Sequence, residues 1–453
     1  MKAFSCDKRR VFYRFVRAVI SFALGMFYRI KVERAPADLE GPIIFVGNHP
    51  NSIIDPALVF VITSRKVTFL AKEPLFRAPV FGWILRGLDA LPVYRKTDHP
   101  GQTAKNEGTF DAACGALRDG RAITIFPEGK SHSEPQLAEI KTGCARIAFR
   151  SAKEGVPVRI VPIGLTYSEK QRFRSWVFID VGAPIEVKPH LPVPGADEAE
   201  AVHKLTDVVA DSMRGVTLNL EQWEDLPIIQ TAEELYSLRL GEKTRDPERI
   251  RRFAKGLQIL RDERPEVWAR MREDLASFRR RLELVHADAK DLSLQYRRGE
   301  VYPFVFRNLA ALLFGLPVFF LGCGVFFVPF MVARLTARII KVQHDRIATL
   351  KFSTALVLGP IWWALISYAG FRIGGVGGAM CAFVGAVPFA LWTRYFFERR
   401  RSALRDIVTF LVLGNRGRLK ARLLVEGEKL SNEIEALAAE LRPRVIAAEP
   451  TGT

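Results

Sequence analysis

Hydrophobic and polar positions change rhythm several times along the chain, and each rhythm predicts a different kind of element. Between residues 42 and 190, short β-branched runs (IIFVG, VTFL, ALPV, AITIF, VRIVPIGLTY and WVFIDVG) alternate with amphipathic stretches of helix length. That alternation predicts an α/β domain over residues 36–190. Residues 195–300 place leucines at helical spacing among many charges, as in AEAVHKLTDVVADSM and ERIRRFAKGLQILRDERPEVWARMREDL, and predict a charged helical region broken at Pro265.

Further on, polar positions disappear. Leu309 to Val332 carries no charge and is long enough to cross a hydrocarbon layer of about 30 Å as a helix. Two more apolar stretches follow, Phe352 to Phe371 and Gly374 to Trp392, so residues 303–395 are expected to form a membrane region, followed by a basic helical tail over 396–453. The final AAEPTGT is the one low-complexity segment.

At the other end, residues 1–35 set Arg14, Arg17 and Arg29 among apolar residues, too many cations for an easy span. An interfacial amphipathic helix is expected, with Phe12, Phe15, Ile20 and Leu24 entering the acyl boundary and the arginines reaching headgroups. No small-residue cleavage site marks it as a secretory signal.

Charge narrows the choice of partner. Sixty-seven lysines and arginines against 49 acidic residues, a formal charge of +18, favour an anionic partner. The basic residues flank apolar runs rather than forming a recognition helix or aromatic platform, so a phospholipid membrane is expected and nucleic acid is not. Five scattered cysteines with no CxxC imply a reduced compartment and no structural zinc.

Both Ala333–Lys351 and the segment after Trp392 are rich in arginine and lysine, so both are expected on the cytoplasmic side. Three complete crossings do not satisfy that. A first stretch re-entering near Pro317, Gly322, Gly324 and Pro329, followed by one full hairpin, does satisfy it, and puts every basic segment on the side of the α/β domain.

Chemistry concentrates at strand ends. In PIIFVGNHPNSIIDPAL a strand delivers Asn48 and His49 into a polar turn ahead of a helix. An imidazole, which titrates near neutrality, suits removal of a proton from an attacking hydroxyl, and Asp55 is placed to hold its tautomer. Asp55-Pro56 also reads simply as a helix start. A second strand, in AITIFPEGKSHSEP, runs into a Pro-Glu-Gly turn; Lys130, Lys141 and Gly143 come next, then a strand containing VPIG.

Taken together, NHPNSIID, GLDALPVYR, FPEGKS and IVPIG, in this order within residues 48–164, resemble the glycerol-3-phosphate and lysophospholipid acyltransferase family. The resemblance covers residues 30–190, about a third of the chain. It implies that His49 is the base and Asp55 its partner, that Asn48, Arg95 and the Glu128-Gly129 turn belong to the acceptor site, and that Lys130 and Lys141 are further phosphate or coenzyme contacts. Glu128, an acid, is expected to take an acceptor hydroxyl or to orient Arg95.

Five residues stand between His49 and Asp55 where the family commonly has four, and Tyr94 replaces the usual acid before Arg95. The longer spacing, with the long C-terminal membrane part, resembles the glycerol-3-phosphate or dihydroxyacetone-phosphate branch. The implied reaction moves an acyl group from acyl-CoA or acyl carrier protein to a glycerol-phosphate hydroxyl on the cytoplasmic membrane face, with no metal or prosthetic group, because a thioester is already activated. A lysophospholipid acceptor and an idle lipid-binding scaffold are the alternatives. A hydrolase lacks its GxSxG, and GGVGG at residue 374 follows no strand as a phosphate loop requires.

Overall fold

The computed structural model describes residues 6–33, 40–95, 103–193, 195–242, 246–285, 287–292, 298–415 and 417–447. Residues 448–453 of the AAEPTGT tail therefore lie outside the described residues. In chain order come α1 (Cys6–Phe27), β1 (Arg29–Val32), β2 (Ile43–Gly47), α2 (Ile54–Ile62), β3 (Val67–Lys72), α3 (Pro74–Arg77), α4 (Pro79–Gly87) and β4 (Leu91–Val93). Then follow α5 (Asn106–Arg118), β5 (Ala122–Ile125), α6 (Gly143–Lys153), β6 (Arg159–Tyr167), β7 (Trp176–Val181), β8 (Ile185–Glu186) and α7 (Glu198–Val216). The remainder is helical: α8 (Leu226–Arg239), α9 (Pro247–Glu263), α10 (Pro265–Leu284), α11 (Ala289–Leu292), α12 (Arg298–Ile339), α13 (Ile347–Asn415) and α14 (Gly417–Ala447).

Contacts divide the chain into two units. The first comprises residues 1–219 together with Val342–Thr349; the second comprises residues 220–341 and 350–448.

The first unit is built on one eight-stranded sheet in the order β1-β7-β6-β2-β5-β3-β4, with β8 also paired to β6. Strands β6, β2, β5, β3 and β4 are parallel, while β7 and β8 run antiparallel to β6. All six strands expected from alternation are present. β2 is buried along its whole length between β5 and β6, which explains why IIFVG is continuously apolar rather than alternating. Its Ile44 and Val46 join a core with Ala113 and Leu117 of α5, Ile147 and Phe149 of α6, and Leu205 and Met213 of α7. Successive side chains of a strand point to opposite faces, so Ile43 and Phe45 lie on the other side of the sheet. In a parallel sheet, ligands bind beyond the carboxyl ends of the strands. The segments NHPNS, YR and PEGKS follow β2, β4 and β5 at those ends.

α1 differs in part from the expectation. Leu24 is fully buried and Tyr13 nearly so, with the Tyr13 hydroxyl donating to Arg65 O (3.0 Å) and accepting from Val67 N–H (2.9 Å). Phe12 packs edge-on against Trp83 of α4 at 5.0 Å, and Arg17 Nε donates to Phe60 O at 3.1 Å. Leu24, Phe12 and Arg17 thus face the protein instead of lipid, because a helix of 22 residues has enough surface to bury one face and expose another. The outward row is Val11, Phe15, Val19 and Phe22.

In the second unit, α8, α10 and α14, with parts of α9 and α11, enclose an apolar core around Trp268, Met271, Leu275 and Phe278. Among the described residues, two segments are apolar and long enough to span a membrane, Gly315–Ile339 and His344–Phe396. α13 is folded back at Gly374–Gly375, where Gly375 takes a φ of +62°. The indole of Trp363 then stacks on Phe383 with centroids 4.9 Å apart, and the Gly370 and Gly378 backbones come close enough to leave no room for a Cβ. GGVGG therefore holds the non-helical turn, at Gly374 and Gly375, between two helical halves of α13.

The re-entrant break expected near Pro317 to Pro329 is absent, and α12 runs unbroken through Pro303, Pro317 and Pro329. Proline leaves the carbonyl four residues back without its helical donor. For Pro329 that carbonyl is Val325 O, and the indole N–H of Trp362 donates to it at 2.8 Å. Gly322, expected at the break, instead makes room for Thr393 of α13, as Gly315 does for Phe396.

Candidate active site

The turn after β2 is held from several directions. Asn48 spends its side-chain amide on one residue of β6: Nδ2 donates to Leu165 O (3.0 Å) and Oδ1 accepts from Leu165 N–H (2.7 Å). Asn48 thus ties the turn to the sheet. It positions His49, whose ring stacks on Phe126 with centroids 4.5 Å apart.

His49 Nδ1 lies 2.8 Å from Asp55 Oδ2. Asp55 is fully buried, whereas the His49 side chain is 19% exposed. The same Oδ2 accepts from Asn51 N–H (2.6 Å), and Oδ1 accepts from the Tyr167 hydroxyl (2.6 Å). A carboxylate surrounded by three donors is an acceptor on every side. The proton on the His49–Asp55 contact therefore sits on Nδ1, which leaves Nε2 with an available lone pair. Asp55 also lies in the first turn of α2, so the reading of it as a helix start and the reading of it as a histidine partner both hold.

Five intervening residues are accommodated by one unusual backbone angle. Ser52 has a φ of +47°, in the left-handed region that non-glycine residues rarely visit. This tightens the turn enough to bring His49 back to Asp55.

A second layer supports the pair. The Asn51 side chain donates to the Tyr28 hydroxyl at 3.1 Å, and that hydroxyl donates to Lys170 O at 2.5 Å. Burial pushes the phenols of Tyr28 and Tyr167 well above the usual tyrosine value, and the Asp55 charge adds to the push. Both remain neutral donors through the physiological range. Lys170 Nζ donates to Pro50 O (3.0 Å) and Ser133 Oγ (2.6 Å). Burial lowers its pKa, while the Asp55 and Asp345 charges partly restore it.

The turn after β5 carries a second histidine–carboxylate pair. Glu128 is almost wholly buried; its Oε2 bonds to His132 Nε2, and its Oε1 has no hydrogen-bond partner among the described residues. The backbone N–H of Glu134 donates to His132 Nδ1 at 3.3 Å, which makes Nε2 the protonated nitrogen facing Glu128. His132 N–H donates to His49 O at 3.1 Å, so the two turns are linked directly.

Gly129 has a φ of +70°, and a Cβ there would collide with Lys141 Nζ at 2.5 Å. Its N–H is used inside the turn on Phe126 O, and its carbonyl accepts from Arg95 Nη1 at 2.9 Å. Gly129 therefore gathers two cations, Arg95 and Lys141, at one turn. Arg95 is itself steadied by Asn106, whose side chain bonds both the N–H (2.9 Å) and the carbonyl (2.8 Å) of Tyr94. Lys130 is exposed and does not join this group.

Sequence reasoning missed Tyr28, Asn51, His132, Tyr167 and Lys170. His132 carried a readable signal, four residues after a motif glutamate. Asn51 sits inside the NHPNS turn itself, whereas Tyr28, Tyr167 and Lys170 meet the site only through long-range folding.

Residues 29–166 match the family model described as Acyltransferase. The chain is 28% identical over 302 residues to Glycerol-3-phosphate O-acyltransferase 1 of Saccharomyces cerevisiae, covering 59% of this chain and 39% of that protein. A second yeast protein, Glycerol-3-phosphate O-acyltransferase 2, is 29% identical over 286 residues, 58% of this chain and 38% of its own length. The 1-acyl-sn-glycerol-3-phosphate acyltransferase of Streptococcus pneumoniae is 28% identical over 189 residues, 39% of this chain and 64% of that one. The chain thus spans about two fifths of the length of the yeast relatives it matches.

Proposed function

We propose, from the premise that residues 29–166 are a domain of the acyltransferase family, that the chain is a membrane-bound O-acyltransferase acting on a glycerol-phosphate hydroxyl. The observation that carries this reading is the His49–Asp55 pair at 2.8 Å, with Nε2 turned away from Asp55 and the Glu128 turn bonded to the backbone of His49.

In the reaction, His49 Nε2 accepts the hydroxyl proton as the acceptor oxygen attacks the thioester carbonyl carbon. The buried Asp55 charge stabilises the resulting imidazolium. Collapse of the tetrahedral intermediate breaks the C–S bond, and the imidazolium returns its proton to the departing thiolate, giving an ester and a free thiol. Glu128 Oε1, buried and without a partner among the described residues, accepts from the second hydroxyl when the acceptor is glycerol 3-phosphate. Arg95 and Lys141 at the Gly129 turn offer cationic donors to the phosphate.

Glycerol 3-phosphate or dihydroxyacetone phosphate is the favoured acceptor. The similarity to the yeast glycerol-3-phosphate acyltransferases reaches 59% of this chain, whereas that to the bacterial 1-acylglycerol-3-phosphate enzyme reaches 39%. Acyl-CoA or acyl carrier protein is the donor.

Membrane attachment is supported by the apolar exposure of α12 and α13, where Phe320, Leu321, Phe327, Val357, Ile373 and Val376 are all more than half exposed. A soluble protein rarely exposes such a contiguous surface. Residues 342–349, which lead from α12 into the start of α13, belong to the same unit as His49, and they are flanked in sequence by Arg334, Arg338, Lys341 and Lys351; this supports an active site on the side where those basic residues lie, the cytoplasmic face. The test is acyl transfer by purified protein to a panel of the three acceptors, glycerol 3-phosphate, dihydroxyacetone phosphate and lysophosphatidate. Transfer to lysophosphatidate alone overturns the acceptor assignment, and absence of transfer overturns the enzyme reading.

A further inference from the structure

The loop joining the two long apolar helices reaches the reaction site. Within residues 342–349, Asp345 is only 5% exposed and Ala348 is fully buried. The Asp345 carboxylate accepts from Ser131 Oγ, and Ser131 lies three residues after Glu128. Beside it, Ser133 Oγ receives a hydrogen bond from Lys170, which leaves its own proton to donate to His344 Nδ1 at 3.5 Å. Gln171 Nε2 donates to His344 O at 3.4 Å. On the other flank, Thr349 Oγ1 donates to Asn51 O at 3.4 Å, inside the turn that holds His49.

A buried carboxylate is costly unless it is bonded and its charge answered. Here Arg346 Nε lies 3.9 Å from Asp345 Oδ2, and the Lys170 ammonium adds its charge from farther away. That ammonium is influenced by two carboxylates, Asp55 from α2 and Asp345 from the loop, and by the His344 imidazole; on its own turn, Glu169 and Arg172 are paired to each other. Lys170 also bonds both Pro50, next to His49, and Ser133, next to His132. The acceptor turn and the histidine turn are thus clamped by a lysine on one side and by the interhelical loop on the other.

We propose that Asp345 is a positioning residue for acyl transfer. Through Ser131 it holds the Glu128–Ser133 turn in its acceptor-binding form, so that the loop between the apolar helices is a working part of the active site. The inference rests on the acyltransferase reading for its kinetic consequence but not for its structural one. Removing the Asp345 bond frees the acceptor turn, so acceptor KM rises while kcat, set mainly by His49 and Asp55, changes less.

The experiment compares Asp345→Asn, Asp345→Ala and Ser131→Ala with wild type in the full detergent-purified chain. Hydrogen exchange of residues 128–134 is read without substrate, and acceptor KM and kcat are read with it. Expected are faster exchange in 128–134 for all three variants, a rise of about tenfold in acceptor KM, and a kcat within about threefold of wild type. The Asp345→Ala/Ser131→Ala double variant should be no worse than Asp345→Ala alone, because both remove one bond. The alkaline limb of activity should also move to lower pH in Asp345→Ala, since loss of that carboxylate lets Lys170 deprotonate earlier. In a Lys170→Arg background that move should vanish. Unchanged exchange in 128–134 overturns the docking, whatever happens to activity. Changed exchange with unchanged acceptor KM overturns the role in the reaction.

Discussion

At the scale of single residues, the account turns on which proton each group holds. Asp55 accepts from His49, Asn51 and Tyr167 and cannot itself donate, so it fixes His49 with Nε2 unprotonated. Asp55→Asn presents an amide donor to Nδ1 and favours the opposite tautomer. Its kcat should fall by about a thousandfold or more, with acceptor KM little changed, in a steady-state assay. Tyr167→Phe removes one donor and leaves Asp55 Oδ1 buried without that bond. We expect a loss of about 1–3 kcal/mol in unfolding free energy, measurable in denaturant titration, and a smaller fall in kcat. For Arg95→Ala the expected effect is a raised acceptor KM. His49, Asp55, Glu128 and Arg95 were legible because their motifs are local in sequence. Tyr167, 112 residues from Asp55 along the chain, was not, since only the register of β6 beside β2 brings it there.

At the scale of elements, the pH behaviour of Lys170 links a loop to a turn. Burial lowers its pKa below the ordinary lysine value of 10.5, so the folded protein releases this proton at lower pH than the unfolded chain does. Between the two values the unfolded state binds more protons, and this group's contribution to stability rises with pH. Activity runs the other way, because the charge that holds Pro50 and Ser133 is being lost. Lysine-to-arginine substitution at 170 should therefore flatten the alkaline limb of the rate profile. The left-handed Ser52 makes a separate prediction: Ser52→Gly should keep near-wild-type transfer, whereas Ser52→Val should lower it, because a β-branched residue resists positive φ. The strands were legible from their apolar alternation. β1 was not, because RIKV continues the basic-apolar pattern of the helix before it. The course of α12 differs from the expectation, since proline and glycine mark a break in a helix only when nothing else satisfies the freed carbonyl or fills the space, and here Trp362 and Thr393 do so at Pro329 and Gly322.

At the scale of the whole molecule, an α/β domain for which we propose a water-soluble phosphate acceptor is joined in one chain to apolar helices. The charge pattern alone suggested a membrane partner, and the exposed apolar faces of α12 and α13 agree with it. What the sequence did not show is that the connection between those helices returns to the His49 unit, because loop residues such as Asp345 carry no periodic signal. The most direct test of the central claim is acyl transfer by the full purified chain, with labelled acyl-CoA or acyl carrier protein offered to glycerol 3-phosphate, dihydroxyacetone phosphate and lysophosphatidate, with His49→Ala alongside. The account predicts a glycerol-phosphate monoester that disappears in His49→Ala while the variant keeps its membrane insertion. Full activity without His49, or folded wild-type protein that transfers no acyl group to any acceptor, would contradict it.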